Sequence, residues 1–195
     1  MLCSPHERLH ADRRSMQIYT TNLAEVKLLE PRVFADSRGF FLESYNQRTF
    51  AELGIHDAFV QDNHSRSERG VLRGLHYQLI QPQGKLIRAV RGEIFDVAVD
   101  LRRSSSTFGH WTGHLLSEEN KQMLWVPEGF GHGFLVLSAI AEVLYKATNF
   151  YAPQGERSIL WNDPTIGIQW PDAGVPILSP KDLAGKSLVN AEVFL

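Results

Sequence analysis

Alternation of residues 94–101 between the two faces of a strand constrains the fold of this chain more than any other feature. The odd-numbered positions would share one face of a β-strand: Phe95, Val97, Val99 and Leu101. The even-numbered positions, with Asp96 and Asp100, would point the other way. Residues 85–90 and 94–101 flank a triplet centred on Gly92, and this spacing predicts a β-hairpin. The chain is therefore expected to consist largely of short antiparallel strands.

Other segments fit the same architecture. Residues 143–150 and 157–161 are predicted to be strands on either side of a Pro-Gln-Gly turn at 153–155. One helix is predicted over residues 47–53, capped by Asn46 and ended by Gly54. The residues after 170 contain several prolines and glycines and are expected to wrap the outside. The prediction is an all-β fold, a sandwich, jelly roll or barrel, with few short helices.

Composition limits the functions open to such a fold. The chain has 195 residues, is 43% hydrophobic and carries a net charge of −2, which argues against nucleic acid as a partner. The single Cys3 is compatible with a reducing compartment, so the cytoplasm is the predicted location. The longest apolar run, residues 134–144, is too short to span a membrane. Residues 1–15 are expected to form a disordered extension, and residues 16–195 a single domain.

The residues with the clearest chemical potential lie between positions 73 and 85. Arg73, His76 and Lys85 bring a permanent cation, an imidazole and an amine into one short stretch. Imidazole accepts a proton near pH 7 without large tuning of its pKa, so His76 is a candidate base. A lone histidine would more often be structural, and strict alternation would place Arg73 and His76 on opposite faces. A bulge or a twist at Gly74 could bring both inward.

His132 lies in a second glycine-rich segment of the form Pro-x-Gly-x-x-His, beginning at Pro127. This form resembles the second histidine signature of the cupin barrels, in which the histidine commonly binds a metal. The first cupin signature needs two histidines, whereas this chain has His76-Tyr77-Gln78. Glu93 could complete a ligand set, but two histidines alone make a weak metal site. The incomplete ligand set therefore predicts a cupin that has lost, or never had, its metal.

Further along, several motifs coincide with one family. The first four are Phe34-Ala35-Asp36-Ser37-Arg38-Gly39-Phe40-Phe41, Gln61-Asp62-Asn63-His64-Ser65, Arg73-Gly74-Leu75-His76-Tyr77-Gln78 and Gln83-Gly84-Lys85. The others are residues 127–134, Tyr145-Lys146, Trp161-Asn162-Asp163-Pro164 and Ser179-Pro180-Lys181-Asp182. Together they resemble the dTDP-4-dehydrorhamnose 3,5-epimerases, cupin-type enzymes that act on nucleotide sugars. The resemblance runs from about residue 16 to about residue 187 and implies a cupin-type jelly-roll barrel.

The resemblance also implies a role for each matching residue. His76 would remove the proton beside the C4 ketone, at C3 and at C5 of the sugar, and Asp182 would orient it. Tyr145 would return a proton from the opposite face, and Lys85 would stabilise the enolate. The implied substrate-binding residues are Arg38, Glu43, Gln61, Asp62, Asn63, Arg73, His132, Tyr151, Glu156 and Lys181.

Some points stay open at this stage. Asp96 is the fallback partner for His76, and Phe150 could stack on thymine in place of Tyr151. The resemblance implies a homodimer whose N-terminal strands cross to the partner, so part of the diphosphate or base contacts would come from the other chain. The rival functions are a mono-epimerase acting at C3 or C5 only, a metal-dependent cupin enzyme, and a non-catalytic nucleotide-sugar binding module.

Overall fold

The computed structural model describes residues 16–195, so the extension predicted for residues 1–15 lies outside the described residues. The first seven strands are β1 (Gln17–Thr20), β2 (Lys27–Glu30), β3 (Val33–Asp36), β4 (Gly39–Leu42), β5 (Gln61–Glu68), β6 (Leu72–Gln78) and β7 (Lys85–Arg91). The others are β8 (Glu93–Asp100), β9 (Trp111–Ser117), β10 (Met123–Val126), β11 (Phe130–Val136), β12 (Ile140–Ala147) and β13 (Glu156–Ser158). The helices are α1 (Gln47–Glu52), α2 (Pro180–Leu183) and two 3₁₀ turns, Pro153–Gly155 and Leu188–Asn190.

Two large antiparallel sheets face each other across one core. The first has the strand order β1-β2-β10-β7-β12-β5, and the second has the order β13-β6-β11-β8-β9. Ile87 and Val143 from the first sheet pack in a single cluster with Ala98 and Phe134 from the second. Strands β3 and β4 pair only with each other and form a separate hairpin. This is the all-β, cupin-type jelly-roll barrel that the sequence predicts.

The alternation in β8 is confirmed, but both faces of the strand are buried. Val97 and Val99 pack beneath the C-terminal segment, in a cluster that includes Ile159 and Leu188. The face that carries Asp96 points into the barrel, where Ala98 joins the central core. The segment around Leu188 covers the apolar face of β8 from outside. The face that carries Asp96 therefore lines the interior of the barrel.

The hairpin predicted around Gly92 is wrong. Strands β7 and β8 are consecutive but belong to opposite sheets, and β7 pairs with β10 and β12 instead. Gly92 has a φ of +69°, and a Cβ there would lie 2.1 Å from the carbonyl oxygen of Ile140. Glycine therefore allows the chain to turn from one sheet into the other, a corner that has the same local signal as a hairpin.

The predicted helix is confirmed with slightly different bounds. The side chain of Asn46 accepts hydrogen bonds from the backbone N–H groups of Arg48 and Thr49, and Gly54 follows the helix with a φ of +76°. Strand β12 begins three residues before the predicted position and ends three earlier, and β13 is shorter than predicted. Within residues 16–195, every helix falls short of the length and apolar character needed to cross a membrane.

Candidate active site

A polar cavity of about 350 Å³ opens between the two large sheets. This volume is in the range of small-molecule sites. Most of the residues that line it were singled out in the sequence, and they come from five strands and two loops: Gln61, Asn63, His76, Tyr77, Gln78, Gln83, Lys85, Tyr145, Tyr151 and Glu156. Sequence reasoning gave Tyr77, Gln78 and Gln83 no role, although all three belong to the motifs that carry the resemblance.

Strand β6 contains a bulge between Arg73 and His76. His132 of β11 pairs with His76, and Phe134 pairs with Arg73, so two steps on β11 match three on β6. Gly74, at φ +124°, absorbs the extra residue, and a Cβ there would lie 2.5 Å from the Cα of Gly133. The prediction of a bulge at Gly74 is confirmed. The bulge requires glycine at both Gly74 and Gly133, because the two backbones are in close contact on neighbouring strands.

His76 is held by a carboxylate from the far end of the chain. Its Nε2 lies 2.6 Å from Oδ1 of Asp182, on α2, and the Asp182 side chain is only 3% exposed. Asp182 also accepts hydrogen bonds from the Gly74 N–H and from Ser179, with which it forms a capping box. Burial raises the pKa of Asp182, but these hydrogen bonds outweigh burial and lower it well below its ordinary value. Asp182 is therefore an anion that fixes the ring and leaves Nδ1 as the nitrogen able to accept a proton.

The surroundings also keep His76 neutral. Burial lowers the pKa of His76, and the positive charges of Lys181 and Lys85 act in the same direction. Asp182 raises it but does not reverse the effect. An imidazole with a lowered pKa is uncharged at neutral pH and is ready to accept a proton.

Tyr145 reaches the cavity from the opposite sheet. It lies on β12, whose inward face also carries Val143 in the central cluster. Burial raises the pKa of Tyr145; Glu156 adds to this effect and Arg73 opposes it. The phenol is therefore protonated at neutral pH and can donate. A proton acceptor on one sheet and a proton donor on the other border the same space.

Lys85 lies at the start of β7, half-buried, and lines the same cavity. Its Nζ donates a hydrogen bond to the carbonyl oxygen of His76 at 3.4 Å. Burial lowers the pKa of Lys85 to about 8, although Asp96 and Glu156 favour the charged form. An ammonium with few hydrogen bonds in a buried cavity is suited to receive a developing negative charge.

His132 forms a second imidazole–carboxylate pair beside the first. Its Nε2 lies 2.9 Å from Oδ1 of Asp96, and both side chains are buried. Asp96, the fallback partner for His76, is thus bonded to His132, and Asp182 holds His76. The sequence places Asp96 on the correct face of its strand but does not reveal which histidine it meets.

The mouth of the cavity is rich in hydrogen-bonding groups. Gln61 and Asn63 lie on the inward face of β5, and the Asn63 Nδ2 is buried without a hydrogen-bond partner in the part of the chain that the structure describes. Tyr151 donates from its hydroxyl to Glu156 at 2.8 Å, and Glu156 also pairs with Lys181. An unpaired buried amide is costly unless a ligand satisfies it. Tyr151 lines the cavity, whereas its neighbour Phe150 is outside it.

Within residues 16–195, four of the sequence candidates do not line this cavity and form no hydrogen bond with its lining residues. One is Arg73, which is exposed and donates hydrogen bonds to the Ser67 hydroxyl. Asp62 points to the outer face of β5 and pairs with Lys146 at 2.9 Å, because alternation turns it away from Gln61 and Asn63. Arg38, in the turn of the β3–β4 hairpin, pairs with Asp36 and is 88% exposed. Glu43 follows the hairpin and accepts a hydrogen bond from Asn46. The structure therefore does not bring Asp62, Arg38 or Glu43 to the His76 cavity of their own chain.

No group of three or more His, Cys, Asp or Glu side chains in residues 16–195 is arranged to hold a metal ion. The Nε2 atoms of His76 and His132 are each directed at a buried carboxylate. The metal-free interpretation stays a prediction.

Comparison with known proteins assigns the chain to a family. The family model described as dTDP-4-dehydrorhamnose 3,5-epimerase matches residues 20–190. The dTDP-4-dehydrorhamnose 3,5-epimerase of Pseudomonas aeruginosa is 62% identical over 173 residues, which are 88% of this chain and 96% of the relative. The crystal structure of a 3,5-epimerase from Legionella pneumophila in complex with dTDP-4-keto-L-rhamnose is 53% identical, with a TM-score of 0.89 over 91% of this chain and 95% of that one. A 3'-monoepimerase from Streptomyces bikiniensis is 35% identical, with a TM-score of 0.83 over 87% of each chain. This chain therefore belongs to the dTDP-4-dehydrorhamnose 3,5-epimerase family.

Proposed function

We propose that this protein epimerises dTDP-4-dehydro-6-deoxy-D-glucose at C3 and C5, giving dTDP-4-dehydro-L-rhamnose in dTDP-L-rhamnose biosynthesis. The observation that supports this most directly is the placement of His76 and Tyr145 on facing sheets around one cavity. Inversion needs proton carriers on both faces of the sugar, because a single base would return the proton to the side from which it came. The relatives named above act on sugars of this class.

The proposed reaction has the same steps at each carbon. Nδ1 of His76 takes the proton beside the C4 ketone, and the C–H electron pair becomes the C=C bond of an enolate. The phenol of Tyr145 then donates its proton to the carbon from the opposite face, and the ketone forms again. His76 is left protonated and Tyr145 deprotonated, so one proton must pass from His76 to Tyr145 through solvent before the next turn. A positioned base contributes typically about 10²–10⁴-fold to such a step.

Lys85 is assigned to the enolate oxygen. Its side chain is half-buried, and its one hydrogen bond within residues 16–195 is long, so it can bind an oxyanion without first breaking strong contacts. Removal of one such donor typically costs about 10²–10³-fold in kcat. His132 lies on the strand next to His76 and is assigned to the same oxygen or a neighbouring one.

The rim of the cavity is assigned to the nucleotide and the sugar hydroxyls. Asn63, whose Nδ2 has no hydrogen-bond partner within residues 16–195, and Gln61 would bind the sugar hydroxyls, and Tyr151 would stack on the thymine ring. Arg73 would bind the diphosphate, since it is exposed and its guanidinium donates to the neutral Ser67 hydroxyl. Glu156 and Lys181 would contact the ligand by opening or sharing their ion pair.

A homodimer would explain the hairpin that carries Arg38. In the β3–β4 hairpin the side chains of Phe34, Phe40 and Phe41 are between 50% and 68% exposed. They form one apolar patch, and such a patch indicates an interaction surface more strongly than single exposed apolar residues do. We infer that this hairpin crosses to a second copy and brings Arg38 and Glu43 to the partner's cavity. The apolar surface would be covered there, and the cation would lie near the diphosphate.

Mixing two inactive variants tests this arrangement. Arg38→Ala and His76→Asn each damage every site of their own homodimers. In a mixed dimer, one site has an intact His76 from one chain and an intact Arg38 from the other. After subunit exchange, about a quarter of the wild-type activity should return if the hairpin crosses. If mixing restores nothing although mass measurements show exchanged dimers, Arg38 serves its own chain or none.

The function itself is tested by proton NMR in D₂O with dTDP-4-dehydro-6-deoxyglucose. Deuterium at both C3 and C5 of the product is expected. Deuterium at one carbon only would mean a mono-epimerase, the activity of the Streptomyces bikiniensis relative. The matched control is His76→Asn, which should bind dTDP and catalyse no exchange at either carbon. A wild-type protein that binds the nucleotide sugar and exchanges neither carbon would be a binding module.

We further propose that residues 16–195 form one catalytic domain that works in the cytoplasm without a cofactor. Elemental analysis together with an assay after treatment with chelator tests the last point. Activity that is lost with the chelator and returns with iron, manganese or zinc would overturn it.

A further inference from the structure

The Tyr151 loop, residues 148–152 between β12 and β13, is held in place by side chains. Among the described residues, the backbone groups of Asn149, Phe150 and Tyr151 form hydrogen bonds with side chains only. Apart from a local bond between the Phe150 N–H and the Asn149 side chain, all of these side chains are glutamines. A loop without backbone partners keeps its shape only while such side chains are present.

Gln83 and Gln61 each hold one backbone group of this loop. The Nε2 of Gln83 donates to the carbonyl oxygen of Asn149 at 2.8 Å. The Oε1 of Gln61 accepts from the Tyr151 N–H at 3.1 Å, and its Nε2 donates to Asn63 at 3.0 Å. Gln83 lies between β6 and β7, whereas Gln61 begins β5, so the two contacts come from different elements of the fold.

Gln78, at the end of β6, makes three such contacts and is only 4% exposed. Its Nε2 donates to the carbonyl oxygens of Gln81 at 2.9 Å and Phe150 at 3.3 Å, and its Oε1 accepts from the Ala152 N–H at 3.0 Å. An amide group with two carbonyl partners and one N–H partner satisfies all three in a single orientation. Gln78 therefore joins the loop between β6 and β7 to the Tyr151 loop.

These contacts define the position of an exposed aromatic ring. The side chain of Tyr151 is 53% exposed, yet it is fixed at both ends. Its backbone N–H is bonded to Gln61, and its hydroxyl donates to Glu156 at 2.8 Å. A ring that a ligand has to order on binding costs affinity, whereas a ring that is already held in place does not.

We propose that Gln78 and Gln83 are positioning residues for the nucleotide, which hold the Tyr151 loop in its binding conformation and so present the ring to the base. Gln61 shares this role and keeps a second amide proton for the ligand. The inference rests on the proposed function, because it takes Tyr151 as the group that stacks on thymine. It adds that affinity for the base depends on two residues that act through the ring.

The decisive variant is Gln83→Met, which has a similar length and removes the hydrogen bond to Asn149. We expect the Kd for dTDP and the KM for the dTDP-sugar to rise about fivefold, within the range that the loss of one hydrogen bond produces. The kcat should change by less than about twofold, since the proton carriers are untouched. Gln169→Met is the matched control and should leave both constants unchanged. Gln169 is exposed, lies outside the cavity and also donates to a backbone carbonyl, that of Gly167.

A double-mutant cycle shows whether Gln83 acts through the ring. In a Tyr151→Ala background the ring is absent, so Gln83→Met should change the Kd for dTDP by less than about twofold. A loss of affinity as large as in the wild-type background would overturn the inference, because Gln83 would then act without Tyr151. An unchanged Kd in the folded single variant would overturn it as well.

Amide hydrogen exchange of the wild-type protein provides a second measurement that needs no variant. The N–H groups of Tyr151 and Ala152 should exchange slowly, because each is bonded to a glutamine oxygen. Exchange as fast as in an open loop would refute the inference, even if Gln83→Met does not fold. The proposed function fails separately, if wild-type protein binds dTDP and does not epimerise the dTDP-sugar.

Discussion

Replacing Lys85 by methionine should make the protein more stable and nearly inactive. Burial lowers the pKa of Lys85 from an ordinary 10.5 to about 8, and this already includes the attraction of Asp96 and Glu156. Since one pH unit of pKa difference corresponds to about 1.4 kcal/mol, keeping the charged form in the fold costs roughly 3 kcal/mol at pH 7. Methionine has a similar length and no charge. The free energy of unfolding should therefore rise by up to about 3 kcal/mol, and Tm by about 6 to 12 °C.

The pH dependence identifies the cause. Between the folded pKa of about 8 and the unfolded value of 10.5, the unfolded chain binds a proton at Lys85 that the folded chain does not. The free energy of unfolding of the wild-type protein therefore rises relative to that of the variant as pH increases from about 8 to 10.5. The extra stability of Lys85→Met should disappear near pH 10.5.

Urea denaturation at several pH values between 7 and 10, with turnover measured alongside, provides the assay. Lys146→Met is a matched control, because Lys146 lies on the outer face and pairs with the exposed Asp62. It should change the free energy of unfolding by well under 1 kcal/mol at any pH. A Lys85→Met variant that is less stable than wild type at pH 7, or whose advantage does not change with pH, would refute the reasoning.

Three further predictions concern the base, the acid and the bulge. Asp182→Asn should lower the pKa of His76 further, since Asp182 is the group that raises it, so the acid limb of kcat/KM should move to lower pH while kcat falls; an unmoved limb would deny the pairing. Tyr145→Phe should still exchange substrate protons with D₂O through His76 while forming little inverted product, as NMR can follow; equal loss of exchange and inversion would contradict separate carriers. Gly133→Ala would place a Cβ 2.6 Å from the carbonyl oxygen of Arg73 and should cost about 1–3 kcal/mol of stability by thermal denaturation; unchanged stability would mean that the strands can separate at no cost.

Much of the fold could be predicted from local patterns. The alternation in β8, the cap at Asn46 and the density of turn residues were enough for an all-β barrel with little helix. The hairpin around Gly92 was predicted wrongly because a tight turn has the same sequence signal whether it joins paired strands or opposite sheets. Pairing depends on contacts with β10, β11 and β12, which are distant in sequence.

The site was predicted unevenly for the same reason. The alternation of β5 already implies that Gln61 and Asn63 face one way and Asp62 the other. All three were nevertheless predicted to bind substrate, because they are adjacent in one motif. The resemblance left open which diphosphate or base contacts would come from the partner chain. The separate β3–β4 hairpin shows that Arg38 does not reach the cavity of its own chain. The bulge at Gly74 was predicted because strict alternation would place Arg73 and His76 on opposite faces, and the register shift between them confirms it.

By itself, the sequence determined which chemical groups this protein has and which local shapes the chain can adopt, since alternation, capping and glycine positions act over a few residues. It determined the candidate base, acid and amine through motifs that resemble one family. The resemblance named Asp182 as the partner of His76, with Asp96 as the fallback. Only the tertiary structure shows the contact itself, across more than a hundred residues, and gives Asp96 to His132 on a neighbouring strand. A hydrogen bond of less than 3 Å depends on how distant segments pack, and no local pattern encodes that distance.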